Sequence, residues 1–355
     1  FFIGFYFFEK IKVLHNGVPY CGFSHTVMMP IFVDVSEDIH FSILTIVYAL
    51  NNKVKISTTN EYGKLKSVIV GSVNNMHWPS DDNEFNIGIE RSTYPTTLTR
   101  GALPKSVHDE ATHDLDKLVS ILTDRNIEVY RPVTNKPHWA YSARDIILTL
   151  GNMVIQCPTP FESRANELDM YPYLKDCNVI VAPRPKTDND PSFDAANVLK
   201  INDKLLYSLS HSANDAGAEW LQKTVGSDYE VIKWKVVDHE ITHIDSTLLT
   251  LNENTVIVNA SRVKEKDLPD FMQDYKKIWI EDVVPRDFHN FPYASKWIGM
   301  NMLSIDPETV LVDDIQAGIK ENLEANNFKV ITTSIRQSRT LGGGLHCVTN
   351  DLERE

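Results

Sequence analysis

Residues 239–243, His239-Glu240-Ile241-Thr242-His243, carry the His-Glu-x-x-His spacing with which zinc peptidases hold a metal. Two imidazoles four residues apart chelate one ion only when a helical turn brings them to roughly 6 Å. On a strand the same four residues span about 13 Å. β-Branched residues crowd the stretch, among them Val236, Val237, Ile241, Thr242, Ile244 and Thr247, and such residues favour strands over helices. No further histidine with zinc-ligand spacing follows. The metal reading is set aside, no cofactor is assigned, and His243, expected to open a strand, is left to other chemistry.

A longer spacing suggests what that chemistry is. Asp145, Asp194, His243, the segment Ser295-Lys296-Trp297 and Cys347 follow one another at intervals of about fifty residues. Taken singly, each is ordinary: an aspartate before a strand is usually a turn or cap residue, and a lone cysteine is usually a small buried hydrophobe. Their common phase matters only if the chain repeats with the same period, because equivalent positions in a ring of similar units face one axis.

The elements support such a period. "DIILTL-GN-MVIQC" (145–157) is two β-rich runs across a Gly-Asn turn, the pattern of a hairpin. A helix-like stretch over 162–176 and the strand "NVIVAP" follow. The same order recurs from "DAANVLKI-ND-KLLYSL" (194–209), from "HIDSTLLTL-NEN-TVIVN" (243–259) and from "KWIGMNMLSI-DPE-TVLV" (296–312), each with a helical pattern and then a strand. An earlier unit is visible in "LKSVIVG", an amphipathic stretch within 107–125 and "IEVYRP". Recurrence of a ββαβ unit predicts an α/β fold in which similar units form a ring or solenoid.

In a ring, two carboxylates, an imidazole and a thiol converge. Cys347 lies in "RTLGGGLHCVTND", where three glycines let a substrate or another backbone approach closely. A thiol needs conversion to thiolate, which a neighbouring imidazole promotes; His243 is the best candidate, oriented by Asp194. His346 is expected to point away from Cys347 along an extended segment and is read as structural. Asp245, two residues after His243, is expected on the same strand face and adds a third acid. A peptide carbonyl needs oxyanion donors rather than carboxylates. A guanidinium needs the reverse, since carboxylates hold its planar cation through bidentate hydrogen bonds. The residues thus point to a cysteine nucleophile acting on a guanidino compound.

Composition agrees with a small cationic substrate. The 355-residue chain is 42% hydrophobic with a formal net charge of −13, which disfavours nucleic acid and anionic membranes as partners. Cys21, Cys157, Cys177 and Cys347 form no CxxC pair, as expected of a reducing, cytoplasmic setting. The apolar runs "FFIGFYFF" (1–8) and "FSILTIVYAL" (41–50) are shorter than a membrane span. Residues 1–57 are read as an N-terminal extension with no assigned function, and 58–355 as the repeat-containing domain.

The motifs "NEYGKLKSVIVGS", "RDIILTLGN", "FDAANV", "HIDST", "SKWIGMN" and "LGGGLHC", in that order over residues 59–355, resemble the arginine:amine amidinotransferases, and "FDAANVLK", "GAEWLQKTVG" and "SRTLGGG" look closer to the bacterial inosamine-phosphate and toxin-pathway enzymes than to the vertebrate glycine enzyme. The resemblance implies the five-bladed α/β propeller of the pentein superfamily, with L-arginine and a small amine acceptor as partners. It implies that Cys347 attacks the guanidino carbon, ornithine leaves and an amidino-cysteine remains for the acceptor. By the same resemblance His243 shuttles protons, Asp194 assists it, Asp145 and Asp245 hold the guanidinium, and Arg262 with Ser295 binds the α-carboxylate. Dimers are common in the family, which adds a homodimer to the expectations. The chain departs from the family pattern at Ala294, Thr242 and Ala143, before Arg144 and in a shorter tail after Cys347. A pentein hydrolase passing through the same thiol adduct, and a non-catalytic guanidine-binding propeller, are the alternatives.

Overall fold

The computed structural model describes residues 54–78, 100–134, 139–236 and 241–355, together with two short paired strands, Leu14–His15 and Val18–Pro19. The chain divides into a unit of Phe1–Asn52 and a compact unit of Lys53–Glu355. Val54 and Ile56 are buried in the second unit, so its core starts slightly before residue 58. The rest of this section concerns that unit.

Five three-stranded sheets share one topology: an antiparallel pair, a hairpin in four of them, whose second strand pairs in parallel with a third. The second sheet consists of Ile147–Leu150, Met153–Gln156 and Asn178–Val181. The third is Val198–Ile201, Lys204–Ser208 and Glu230–Trp234; the fourth is Leu248–Asn252, Thr255–Asn259 and Lys276–Ile280. The fifth is Leu303–Asp306, Thr309–Asp313 and Lys329–Thr333. The first sheet joins distant parts of the chain: Thr349–Arg354 runs antiparallel to Leu65–Val70, which pairs in parallel with Glu128–Tyr130. The strand after Cys347 thus completes the sheet begun near residue 65.

The hairpins form where the sequence places turn residues. Asn202 has φ +59° and Gly151 φ +56°, a left-handed conformation that asparagine and glycine adopt at low cost. The inner strands are buried on both faces: Ile147, Leu148, Thr149 and Leu150 are all buried, as are Val198 to Ile201. Continuous apolar runs, rather than alternation, are what a doubly covered strand requires. Each large aliphatic side chain buried this way stabilises the fold by about 1.5–3 kcal/mol.

α-Helices Lys105–Thr123, Asp215–Val225 and Ala317–Ala325 cover the first, third and fifth sheets. The second and fourth differ from expectation. The predicted helix over 162–176 is three 3₁₀ turns, Glu162–Arg164, Glu167–Met170 and Pro172–Leu174, and "KDLPDFMQDY" holds two, Glu265–Asp267 and Asp270–Met272. Prolines at 172 and 269 interrupt both stretches, and a missing N–H with a fixed φ stops helix propagation. Among the described residues no helix is long and apolar enough to cross a membrane.

Candidate active site

Hydrogen bonds tie the sheets together where the candidate residues sit. The Arg144 N–H donates to the Cys347 carbonyl (3.1 Å), and the Ala195 N–H to the Asp145 carbonyl (2.5 Å). Asn197 accepts from the Asp194 N–H (2.9 Å) and donates through Nδ2 to the Thr242 carbonyl (2.6 Å), linking the aspartate of one hairpin to the histidine of the next. Arg262 Nη2 donates to Ser295 Oγ at 3.2 Å. The Cys347 N–H donates to Asn301 Oδ1 (2.9 Å), and Arg354 donates to the Ser304 carbonyl (2.9 Å). Every seam from the first sheet round to the fifth, and back to the first, carries at least one such bond.

His243 does not start a strand, as the β-branched composition suggested. It caps a single 3₁₀ turn, Ile244–Ser246, in extended backbone (φ −115°, ψ 153°), and the strand begins at Leu248. Asp245 therefore lies on that turn, not on a strand face. The turn swings Asp245 inward and leaves His243 partly accessible, with 17% of its side chain exposed against 2% for Asp245. His239 and Glu240 lie outside the described residues, and His243 is in no helix.

Three buried carboxylates surround the imidazole and the thiol. His243 Nε2 is 3.0 Å from Asp194 Oδ2, and His243 Nδ1 is 3.8 Å from Asp145 Oδ1. The Cys347 thiol donates to Asp245 Oδ2 at 3.2 Å and accepts from Asn301 Nδ2 at 3.2 Å. Its immediate partner is thus a carboxylate rather than the imidazole. The glycines before it serve this packing: a Cβ on Gly344 would lie 2.6 Å from Asn301 Cβ, and one on Gly343 would lie 2.8 Å from Ser142 Oγ. They let other protein groups approach Cys347.

Burial works against charge on the imidazole, but Asp145, the hydrogen bond to Asp194 and the nearby Asp245 outweigh it, so the His243 pKa rises to about 9. Burial first, then Asp245 and Asp145, push the Cys347 thiol well above its usual range. Burial likewise raises Asp145, with Arg164 opposing. Asp245 is held at about 2: burial opposes ionisation, but the hydrogen bond and charge of His346 prevail. At neutral pH the resting pair is a thiol and an imidazolium, bridged electrostatically by Asp145 and Asp245.

Arg262 and Ser295 lie farther out. Arg262 is half-buried and Ser295 exposed; Arg262 Nη1 donates to Ser246 Oγ (3.1 Å) and Thr247 Oγ1 (2.9 Å), beside the turn that carries Asp245.

Sequence reasoning missed several residues here. His346 was expected to point away from Cys347, but residues 345–348 form a turn rather than an extended segment. His346 Nδ1 and the Cys347 thiol consequently meet the same oxygen, Asp245 Oδ2, the former at 2.9 Å. Behind it Glu61, from "NEYGK", accepts from Arg144 (2.9 Å) and lies 3.4 Å from His346 Nε2. Asn301 closes "SKWIGMN" and Asn197 sits in "FDAANV"; both follow shortly after an in-phase position, which was the available signal.

No protein-family model matches the chain. It is 32% identical over 337 residues to inosamine-phosphate amidinotransferase 1 of Streptomyces griseus, a match spanning 84% of this chain and 97% of the relative. It is 27% identical over 293 residues to the L-arginine:L-lysine amidinotransferase of Pseudomonas savastanoi pv. phaseolicola, covering 71% and 80% of the two chains. The solved structure of the S. griseus enzyme superposes with a TM-score of 0.77 over 85% of this chain and 97% of that one. Dimethylarginine dimethylaminohydrolase of Pseudomonas aeruginosa superposes at 0.58, over 81% and 99%; at 14% identity this likeness shows the fold alone. The fold is the mixed α/β architecture of pentein-type proteins, and the site joins a thiol, an imidazole and converging carboxylates. The chain belongs to the amidinotransferase family, enzymes that transfer amidino groups.

Proposed function

We propose that the protein moves the amidino group of L-arginine to a primary amine through an amidino-cysteine at Cys347 and releases L-ornithine. The observation that carries this reading is the convergence of three carboxylates on the imidazole and the sulfur. Asp145, Asp194 and Asp245 are all buried; Asp145 and Asp194 face the imidazole and Asp245 the thiol, with Arg164 behind Asp145 and His346 beside Asp245. A guanidinium between Asp145 and Asp245 would take up the unpartnered Asp145 Oδ1 and, by its planarity, set the central carbon above the thiol. The same cation offsets the two carboxylates that hold Cys347 protonated, so substrate binding itself favours the thiolate.

Attack forms the S–C bond, and the C–N bond to the ornithine nitrogen breaks as His243 delivers its proton to that nitrogen. The thiolate forms on donor binding by loss of the thiol proton to solvent, and the imidazole, having given up its own proton, stays neutral for the second half. The second half runs in reverse: the acceptor nitrogen gives its proton to His243 as it attacks the amidino carbon, and the sulfur leaves. Asp194 keeps the ring oriented through Nε2. Arg262 and Ser295 bind the arginine α-carboxylate at the outer edge, a charge match made by a cation beside a hydroxyl. Asn301 supports the thiolate with its Nδ2 donor.

The seams between successive sheets, and the pairing of Thr349–Arg354 with Leu65–Val70 in the first sheet, support a closed five-bladed propeller with this site at its hub. The described cysteines Cys157, Cys177 and Cys347 are free thiols, which fits a cytoplasmic location.

The test is to supply L-arginine with a panel of primary amines and identify guanidinated products and ornithine by mass. Cys347→Ser is expected to abolish turnover while leaving the circular dichroism spectrum unchanged. Transfer retained in that variant, or citrulline formed from arginine with no amine present, overturns the proposal.

A further inference from the structure

The buried groups behind Asp145 carry a further role that rests on the reading above. In the fourth sheet the turn Glu265–Asp267 buries no residue. In the second sheet the corresponding 3₁₀ turns bury two charged ones, Arg164 and Glu167, at 7% and 3% exposure. Burying an ion pair is costly unless its geometry is good and its remaining donors are satisfied. Here they are. Arg164 Nη1 donates to Asp145 Oδ2 at 2.6 Å, Nε and Nη2 grip Glu167 at 2.6 and 3.0 Å, and Nη2 also reaches the Ser142 carbonyl at 3.1 Å.

The consequence falls on Asp145. One oxygen is pinned, while the other, Oδ1, is buried without a protein hydrogen-bond partner among the described residues and faces His243 Nδ1 at 3.8 Å. A carboxylate hinged on one side presents a single acceptor in a fixed direction. Arg164 alone would cancel the charge of Asp145; Glu167 on its far side, raised by burial to about 7, adds a negative charge to the trio as pH rises through that value.

We propose that Arg164 and Glu167 are positioning residues that hold Asp145 so that Oδ1 meets the guanidino group of the donor. The fold has replaced a covering helix by turns that deliver this clamp. Neither side chain touches the donor; both act through Asp145.

The experiment measures L-arginine affinity by calorimetry in the Cys347→Ser background, where no turnover interferes. Asp145→Asn and Arg164→Gln are each expected to weaken binding by about tenfold or more, the scale of one charge-assisted hydrogen bond. The double variant is expected to bind no more weakly than Asp145→Asn alone, because the two act as one unit. A second pair, Arg164→Met with Glu167→Gln, removes both charges together and leaves no lone buried ion should Arg164→Gln fail to fold. Arg164→Lys, which keeps a cation near Oδ2, is expected to restore part of the affinity. Additive losses in the double variant mean that Arg164 acts on the fold in general and overturn the positioning role. Unchanged affinity in the Met/Gln pair, with Asp145→Asn weakened, overturns it too while sparing the guanidinium site. Unchanged affinity in Asp145→Asn instead removes the guanidinium reading, and this inference with it.

Discussion

Replacing Asp245 with asparagine separates the two tasks assigned to that carboxylate, since it should speed one reaction of Cys347 and stop another. Asp245 Oδ2 lies 3.2 Å from the sulfur, and its charge is spread over two oxygens, so the effective separation from a thiolate is near 4 Å. At an effective dielectric of about 20 the repulsion is about 4 kcal/mol. The thiol is 2% exposed, so solvent screens little of this. If local relaxation absorbs half, about 2 kcal/mol remains, which corresponds to roughly 30-fold more thiolate at neutral pH. A less basic thiolate is also a weaker nucleophile, and this takes back about half of the logarithmic gain. Alkylation of Cys347 by iodoacetamide, a neutral reagent, is therefore expected to run about fivefold faster in Asp245→Asn. Peptide mapping by mass spectrometry separates Cys347 from Cys21, Cys157 and Cys177. Formation of the amidino-cysteine from arginine should fall in the same variant, because one arm of the guanidinium clamp is gone. Slower or unchanged alkylation in a folded Asp245→Asn protein would refute the claim that this carboxylate holds the thiol protonated.

Two other perturbations follow from the same geometry. The His243 pKa, raised to about 9, exceeds its unfolded value, so its ion pairs contribute stability that is complete below about pH 6.5 and lost as pH rises through about 9. The stability gap between wild type and His243→Asn, measured by urea unfolding, should shrink by a few kcal/mol from pH 6 to pH 10; a constant gap would contradict the raised pKa. Gly344→Ala puts a Cβ 2.6 Å from that of Asn301, an overpacking expected to cost about 1–3 kcal/mol in thermal unfolding and to lower kcat as Asn301 is pushed from the sulfur. Wild-type kcat in that variant would show that Asn301 plays no part.

Much of the fold was legible because its rules are local. Gly151 and Asn202 marked the turns they make, and the runs 147–150 and 198–201, apolar but for Thr149 and Lys200, are doubly buried strands. The helices at 215–225 and 317–325 also formed where periodicity placed them. Periodicity failed at 162–176 and 265–272, where Pro172 and Pro269 deny the backbone the N–H that a continuing helix needs. In the second sheet that failure is informative, since the irregular turns carry Arg164 and Glu167 inward.

The period of about fifty residues brought forward Asp145, Asp194, His243 and Cys347, because a repeated unit converts spacing in sequence into direction in space. What it could not supply is pairing within the site. Asp245 and His346 are 101 positions apart, and whether they meet depends on the bend at 345–348. A single extended residue there would turn His346 away and leave Asp245 to the thiol alone. The bend gives Asp245 two hydrogen-bond donors on one oxygen instead, and His346 holds it ionised at about 2. An ionised Asp245 keeps the neighbouring sulfur protonated until a cation arrives. Under the proposed function, the backbone turn that hid His346 from sequence reasoning is the feature that would couple activation of Cys347 to the charge of the donor.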